Sequence, residues 1–391
     1  AMLSHFGKKV LVLEQHYIPG GFTHTFRRKG YEWDVGVHAV GEVTIHTLPG
    51  RILHSLTNGE LQWASLGETY EEMYYPDDFS IKFPDRPKKF RQNLIDAFPG
   101  EEEAIDRYFE LIKEVSSSMR PYYLSRLLPK WASGIGDAAL AQKAQEFLTM
   151  RTQDVINSLT ENPKLRQIFV AQWGYYGSLP KDSSFAMQAL VVRHFSHGGY
   201  YPIGGSKVIA EQLLNKVASG GGWTRICADV SEIIIEKGKA VGVKLEDGEL
   251  LRAKRIVSAT GVLSTLKNLL PQSIQNQDWV QQIQTKTRPA PAHICLNIGF
   301  KGNIRKAGCS GANKWFWNTW SVDEREWNFD PNNIGECPLL YCSFPSLKDP
   351  RHDPGEDERH TGEVVTFVPW KTFAQWKDTK WRKRGAEYDK L

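Results

Sequence analysis

Gly7-Lys8-Lys9-Val10-Leu11-Val12-Leu13-Glu14 decides the fold. Four consecutive apolar residues, entered from a glycine and two lysines and left through an acid, have the pattern of a strand buried on both faces of a parallel sheet. In a dinucleotide-binding βαβ unit the second strand ends in such an acid, whose carboxylate accepts hydrogen bonds from both hydroxyls of the adenosine ribose. It stands about twenty residues after a G-x-G-x-x-G turn. Counting back from Glu14 places that turn just before Ala1, with Ala1 to Phe6 as the tail of the helix after it, so the chain reads as a fragment. A strand ending in glutamate is by itself equally a generic α/β strand. The neighbouring segments decide between the two.

Downstream, Gly20, Gly21, Gly30 and Gly36 bracket Thr23, Thr25, Arg27 and Arg28, the two arginines reading as surface cations. Residues 45–200 show helical periods (Leu94, Ile95, Phe98, then Ala104, Ile105, Tyr108, Phe109, Ile112) broken at Pro76, Pro84, Pro87, Pro121 and Pro129. They are expected to form an inserted, mainly helical segment. After Pro202-Ile203-Gly204-Gly205-Ser206, the spacing of Ile209, Leu213, Leu214 and Val217 predicts a helix over 206–218, ended by Gly220-Gly221-Gly222. Short β-like runs follow at 224–230, 232–236, 240–245 and 250–253, with Lys237-Gly238 and Asp247-Gly248 as hairpin turns. Arg255 to Gly261 is expected to be another buried strand ending at a glycine turn. Beyond residue 290, the runs 293–300, 314–320, 338–344 and 363–370 alternate as a half-covered antiparallel sheet should.

Composition narrows the classes. At 391 residues the chain suggests two or three structural units. Its net charge of +4, from 49 basic and 45 acidic side chains, argues against a dedicated nucleic-acid protein. Phe 18, Tyr 14 and Trp 13 are many rings to keep out of water, and they read either as ordinary core or as the lining of a long apolar site. Cys227, Cys295, Cys309, Cys337 and Cys342 form no metal-ligand spacing and read as reduced thiols, and no metal is expected. No stretch approaches eighteen apolar residues, the length of a membrane span.

Three segments in order carry the chemistry. Gly20-Gly21 followed by Asp34-Val35-Gly36 would let main-chain N–H groups approach an anionic diphosphate. Together with Gly204-Gly205, Asp229-Val230 and Ser258-Ala259-Thr260-Gly261, they resemble FAD oxidoreductases of the amine oxidase and phytoene desaturase type. The resemblance narrows further on Lys9 to His16, His24-Thr25-Phe26, Asp34 to His38, Phe98-Pro99, Gly198-Gly199-Tyr200-Tyr201-Pro202, Gly204-Gly205-Ser206, Phe344-Pro345-Ser346 and Lys348-Asp349-Pro350. These look like the retinol saturase and carotenoid isomerase-desaturase family, over about residues 8 to 385. What the resemblance implies is FAD held by Glu14, Gln15, Gly20, Gly21, Asp34, Gly36, Gly204, Gly205, Val230, Ala259, Thr260 and Gly261, with NAD(P)H or a quinone as the exchange partner for electrons. It implies an α/β fold: a Rossmann-like FAD domain split between 1–44 and 201–265, a helical substrate or lid segment at 45–200, and a substrate domain with an antiparallel sheet at 266–391. The family's C-terminal flavin-contacting segment has no counterpart in the sequence.

The implied reaction is hydride transfer at the flavin to or from a polyene, a retinoid or carotenoid, in a dry tunnel. Trp173, Tyr175, Tyr176, Tyr200, Tyr201, Trp315, Phe316, Trp317 and Trp320 are candidate lining, or equally core. His38 is the candidate catalytic residue, or a structural histidine. A substrate that dwells in membranes implies peripheral membrane contact through an apolar mouth. Two other readings share the architecture: a flavin amine oxidase, and a non-catalytic isoprenoid-binding escort protein, which would not need Glu14, Gly20-Gly21 or Ala259-Thr260-Gly261. Gly134 to Ala139 is a formal G-x-G-x-x-A without the strand it needs, and His194 and His197 lack partner ligands.

Overall fold

The computed structural model describes residues 1–136, 140–287, 290–322, 337–368, 370–377, 379 and 385–389. The chain forms two compact units, each assembled from separated segments. Helices and sheets both contribute, as the α/β reading requires.

The first unit comprises Ala1–His24, Ile52–Leu61 and Lys207–Pro289. Leu11–Leu13 is a strand, paired in parallel with Trp223–Arg225 in the register Leu11 to Trp223 and Leu13 to Arg225. Its residues are half-buried rather than fully buried. The predicted helix is Lys207–Ser219, with Val217 as its buried anchor. Val230–Glu236, Lys239–Leu245 and Leu250–Arg252 then make an antiparallel meander over a small core of Ala228, Ile233, Val243 and Leu245. Lys237 (φ 50°) and Gly238 (φ 73°) both take the left-handed conformation that a tight hairpin needs.

Two expectations fail in this unit. The run 224–230 is not one strand, because Cys227 turns left-handed (φ 49°) and splits it into Trp223–Arg225 and Val230–Glu236. Arg255 to Thr260 is not a buried strand: among the described residues no strand lies beside it, and Val257 is 78% exposed. A parallel strand exists through its ladder, so an apolar run without a neighbour stays irregular.

The second unit comprises Thr25–Arg51, Gln62–Ser206 and Ala290–Leu391. All four late β-runs enter one six-stranded sheet, in the order Ala292–Lys301, Arg359–Val368, Leu339–Ser343, Asn313–Trp317, Thr69–Tyr74, Ser80–Pro84. Neighbours are antiparallel except Asn313–Trp317 beside Thr69–Tyr74, which are parallel. The last two strands come from the segment expected to be mainly helical. There, Ile81 and Phe83 alternate with Ser80 and Lys82, a period-two signal that the helical periods downstream mask.

Helices Glu102–Ser125, Pro163–Val170 and Phe185–Phe195 supply the rest of a large apolar core. Tyr108 ties them together: its ring stacks on Phe169 at 4.1 Å, and its hydroxyl donates to the Phe169 carbonyl at 2.8 Å, which also accepts from Gln188.

The compact units part after His24, not at the expected residue 44. The hairpin of Thr25–Arg28 with Tyr31–Asp34 explains this, because Trp33 donates its indole N–H to the Ile298 carbonyl at 3.0 Å, inside the second unit. His194 is structural, accepting the Gly41 N–H at 2.7 Å. Ser133–Gly136 forms a single helical turn, and residues 137–139 of that formal motif lie outside the described residues.

Tyr108→Phe, which leaves the ring stack and removes one buried hydrogen bond, is expected to lower stability by about 1 kcal/mol. Tyr108→Ala is expected to cost about 3–5 kcal/mol. Urea unfolding of both variants checks the ranking.

Candidate functional site

The first unit contains Glu14, Gln15, Gly20, Gly21, Val230 and Ala259–Gly261 of the residues assigned to a dinucleotide. Glu14 follows its strand, its N–H donating to the Arg225 carbonyl at 3.0 Å, and its carboxylate accepts the His16 N–H at 2.9 Å. Gln15 is exposed beside it. Gly20 (φ 120°) could carry no side chain, since a Cβ there would lie 2.9 Å from both the Ala210 Cβ and the Thr23 Oγ1. Gly21 (φ 56°) and Gly261 (φ 90°) are also left-handed, with open space where a Cβ would stand. Val230 begins its strand half-buried, and Ala259, Thr260 and Gly261 are exposed. Bare backbone at tight turns, with a carboxylate at a strand end, is the donor set that a dinucleotide requires.

The other predicted cofactor residues belong to the second unit. Gly36 is exposed, the Gly204 N–H donates to the Asp349 carboxylate at 3.1 Å, and the Gly205 N–H donates to the Pro202 carbonyl at 3.1 Å. Asp34 is buried, and its carboxylate is already occupied. One oxygen accepts the Tyr201 hydroxyl at 2.5 Å, and the other accepts the Ser206 hydroxyl at 2.5 Å and the Ser206 N–H at 3.2 Å.

Asp34 stands in a cluster of buried ionisable groups within the second unit. Its N–H donates to Glu363 at 2.7 Å, and the other Glu363 oxygen lies 2.8 Å from His38 Nδ1. Ligand atoms of Asp34, His38 and Glu363 fall within 4.8 Å of one another. Lys348 supplies positive charge to the same place. Its ammonium donates to the His38 carbonyl at 2.6 Å, to Asn313 at 2.5 Å and to Ser343 at 2.7 Å. Burial drives its pKa down to about 8 against the pull of Glu363, Asp34 and Glu71. Burial also raises the Asp34 carboxyl, assisted by Glu363 and opposed by Ser206, Tyr201 and His38. Such a group holds and moves protons away from water.

A second buried acid, Glu71, sits beside it on the Thr69–Tyr74 strand. It accepts from Gln172 at 2.9 Å, from the Trp315 indole at 3.0 Å and from the Tyr175 hydroxyl. Burial nevertheless raises its pKa to about 7, ahead of the opposing effect of those donors.

The aromatic residues expected to line a substrate site also lie in this unit. Trp173, Tyr201, Trp315 and Trp317 are between 1% and 4% exposed, packed as core, while Tyr175 and Tyr200 are half-buried. Tyr175 meets Trp315 at 5.6 Å and Trp315 meets Tyr341 at 4.5 Å, both edge-on. Glu71, Lys348, Glu363, Asn313 and Ser343 are absent from the sequence-based assignment. The Glu71-Glu72 pair in the aromatic run Thr69–Tyr74, the acid at the head of the apolar run Glu363–Val368, and the Lys348-Asp349-Pro350 segment were the available signals.

The profile of the flavin containing amine oxidoreductases matches residues 1–355. The chain is 33% identical, over all of its length and 67% of the relative's, to an all-trans-retinol 13,14-reductase of Danio rerio. It is 28% identical to a chloroplastic prolycopene isomerase 2 of an Oncidium hybrid cultivar, over 76% of this chain and 52% of that one. Among solved structures, an oxidoreductase from Methanosarcina mazei superposes with a TM-score of 0.63 at 14% identity, over 96% of this chain and 77% of the other, a likeness of fold.

Lys348→Met should destabilise the fold by about 3–5 kcal/mol, because it strands buried carboxylates without a cation. Glu71 gives a pH signature. Its folded carboxyl keeps a proton up to about pH 7, whereas the ordinary value is 4.5. The native state therefore binds the proton more tightly than the unfolded chain does. The associated stability is complete below the ordinary value and is lost as pH rises toward 7. Unfolding free energies measured across this window should fall with pH for the native sequence and lose that component in Glu71→Gln.

Proposed function

This chain belongs to the family of flavin-containing amine oxidoreductases, and from that membership we propose that it is a flavin oxidoreductase acting on a polyene isoprenoid of the retinoid or carotenoid class. The relatives named for retinol reduction and prolycopene isomerisation support the substrate class. The observation that carries the chemistry is the buried cluster of Asp34, His38, Glu363 and Lys348.

The first unit fits FAD through bare backbone: Gly20 packs too closely on Ala210 and Thr23 to admit a side chain, and Gly21 and Gly261 turn left-handed with open space beside them. Glu14, Gln15, Gly20, Gly21, Val230 and Ala259 to Gly261 would hold the dinucleotide, Glu14 taking the ribose hydroxyls. When bound, the flavin supplies two-electron exchange with the polyene.

The chain's own groups must then meet two demands. Saturating one double bond of the conjugated chain adds hydride at one carbon and a proton at the other, and desaturation removes both, so a proton donor or acceptor that does not depend on bulk water is needed. His38, 2.8 Å from Glu363, serves as that donor, and Lys348 holds the His38 backbone in place through its carbonyl. The second demand is dryness, which the rings of Trp173, Tyr175, Tyr201, Trp315 and Tyr341 provide. NAD(P)H is the electron source we assign for saturation.

The test loads the full chain with FAD and reduces it anaerobically. Mixing with all-trans-retinol or prolycopene is expected to restore the oxidised flavin spectrum, or to yield an isomer, whereas putrescine is expected to leave it unchanged. Reduction of the oxidised form by an amine, with no response to any polyene, would establish the amine oxidase reading instead. A chain that retains no flavin would favour the escort-like one. His38→Gln should slow polyene turnover by about 10²-fold or more with flavin content unchanged. Bleaching of the flavin by NADPH or NADH identifies the donor.

A further inference from the structure

We propose that a cavity between the helices Thr152–Leu159 and Pro163–Val170 and the segment 320–322 is a binding site for a small apolar carboxylate. The cavity measures about 300 Å³ and lies in the second unit. Ile156, Val170, Pro180 and the Trp320 ring give it apolar walls, and none of its lining residues belongs to the cluster of Asp34, His38, Glu363 and Lys348. These walls are held in place. The Asn162 side-chain oxygen caps the Pro163–Val170 helix, accepting the Lys164 and Leu165 N–H groups at 3.0 and 3.2 Å. The Trp320 indole stacks on Tyr75 at 4.4 Å, and the Lys164 ammonium stands 4.7 Å from the Trp320 ring centroid.

Two residues that line this space carry buried donors with nothing to donate to. Gln167 is 3% exposed, and its amide nitrogen has no hydrogen-bond partner among the described residues. Neither has the buried indole nitrogen of Trp320. The Tyr75 hydroxyl lies near the Gln167 amide but outside hydrogen-bond geometry, and it too is buried without a partner. Gln172 and Gln188, equally buried, show the usual arrangement: their amide nitrogens donate to Glu71 at 2.9 Å and to the Phe169 carbonyl at 2.8 Å. Folded chains pair nearly all such groups, because an unmet buried donor costs free energy. An occupant that brings acceptor oxygens satisfies both donors at once.

Charge and size select that occupant. Among the described residues, Arg166 and Lys181 line the cavity and no acidic side chain does. Arg166 is anchored in the wall by the Thr160 carbonyl at 2.5 Å and the Asn157 carbonyl at 3.2 Å, and it pairs with Glu161, whose side chain is 98% exposed. A negatively charged acceptor is therefore favoured over a neutral one, and a carboxylate presents two such oxygens to two donors. A cavity of about 150 Å³ holds benzene, so this one takes roughly twelve non-hydrogen atoms. With the carboxyl group seated on the donors, the rest of the molecule meets isoleucine, valine, proline and an indole face, which calls for a hydrocarbon body.

The inference stands apart from the flavin reading, and its test uses neither flavin turnover nor a polyene. Sodium octanoate and octanol are titrated separately into the full chain by calorimetry, with thermal unfolding followed in parallel. Octanoate is expected to bind and to raise the unfolding temperature, and octanol to bind at least about tenfold more weakly. Gln167→Leu and Trp320→Phe each remove one donor while keeping an apolar wall, and each should weaken octanoate binding by about tenfold. Gln167→Leu also discards an unmet donor, so its unfolding temperature without ligand is expected to hold or rise, which separates lost binding from misfolding. His38→Gln is expected to bind octanoate as the native sequence does. Absence of binding up to about 5 mM octanoate overturns the proposal. So does equal binding by the Gln167→Leu and Trp320→Phe variants, or octanol binding as tightly as octanoate. Loss of binding in His38→Gln overturns it too, because the acid then sits beside the buried charge cluster.

Discussion

An ammonium group in the core of a protein must be given oxygen atoms and opposite charge, or the fold does not form. Lys348 imposes that requirement on the second unit. Its three hydrogen-bond partners come from Val37–Ala39, from the Asn313–Trp317 strand and from the Leu339–Ser343 strand. Sheet register meets the requirement, since Ser343 pairs directly with Glu363 and Asn313 pairs directly with Glu71. Both partners that hold the lysine thus stand across from a buried acid. A slip of one residue in either ladder would reverse the faces of Ser343 and Asn313 and leave the charge unmet. The polar cluster therefore specifies the register as well as occupying it.

The same arrangement explains how reactive groups persist in an apolar interior. Asp34 and Lys348 are both pushed toward their neutral forms by burial; Lys348 is pulled back by the carboxylates around it, and Asp34, pushed further by Glu363, is pulled back by the Ser206 and Tyr201 hydrogen bonds and by His38. Glu71, opposed only by hydrogen-bond donors and a more distant cation, ends with its pKa near 7. Groups poised in this way exchange protons at modest cost. That property suits chemistry on a substrate with no polar handle of its own, where the enzyme must bring both the dry surroundings and the proton. The aromatic rings serve the cluster too: Trp315 and Tyr175 are wall and donor at once, their polar atoms turned to Glu71 and their rings to one another.

Much was legible in the chain because the signals are local. The Leu11–Leu13 strand, the Lys207–Ser219 helix, the meander with its Lys237-Gly238 turn and the four late strands follow from apolar period and turn chemistry. What was misjudged depends on partners. Arg255 to Thr260 has the composition of a strand and no ladder, while Thr69–Tyr74 and Ser80–Pro84 became strands because Asn313–Trp317 offered one an edge. Glu71, Glu363 and Lys348 escaped the site assignment for the same reason. Glu363 or Glu71 in a strand resembles a solvent-facing position until the sheet beside it is known.

The sequence by itself determined the family-level chemistry: the acid after an apolar run, the paired glycines and the late alternating strands are short-range patterns that survive without coordinates. Only the tertiary structure decided where the charges lie. Asp34, assigned from sequence to the cofactor, spends its carboxylate on Tyr201 and Ser206, and Lys348, a residue type that favours water, is 5% exposed. The physical reason is that desolvation depends on everything packed around a group, whereas periodicity and turn chemistry are written residue by residue along the chain.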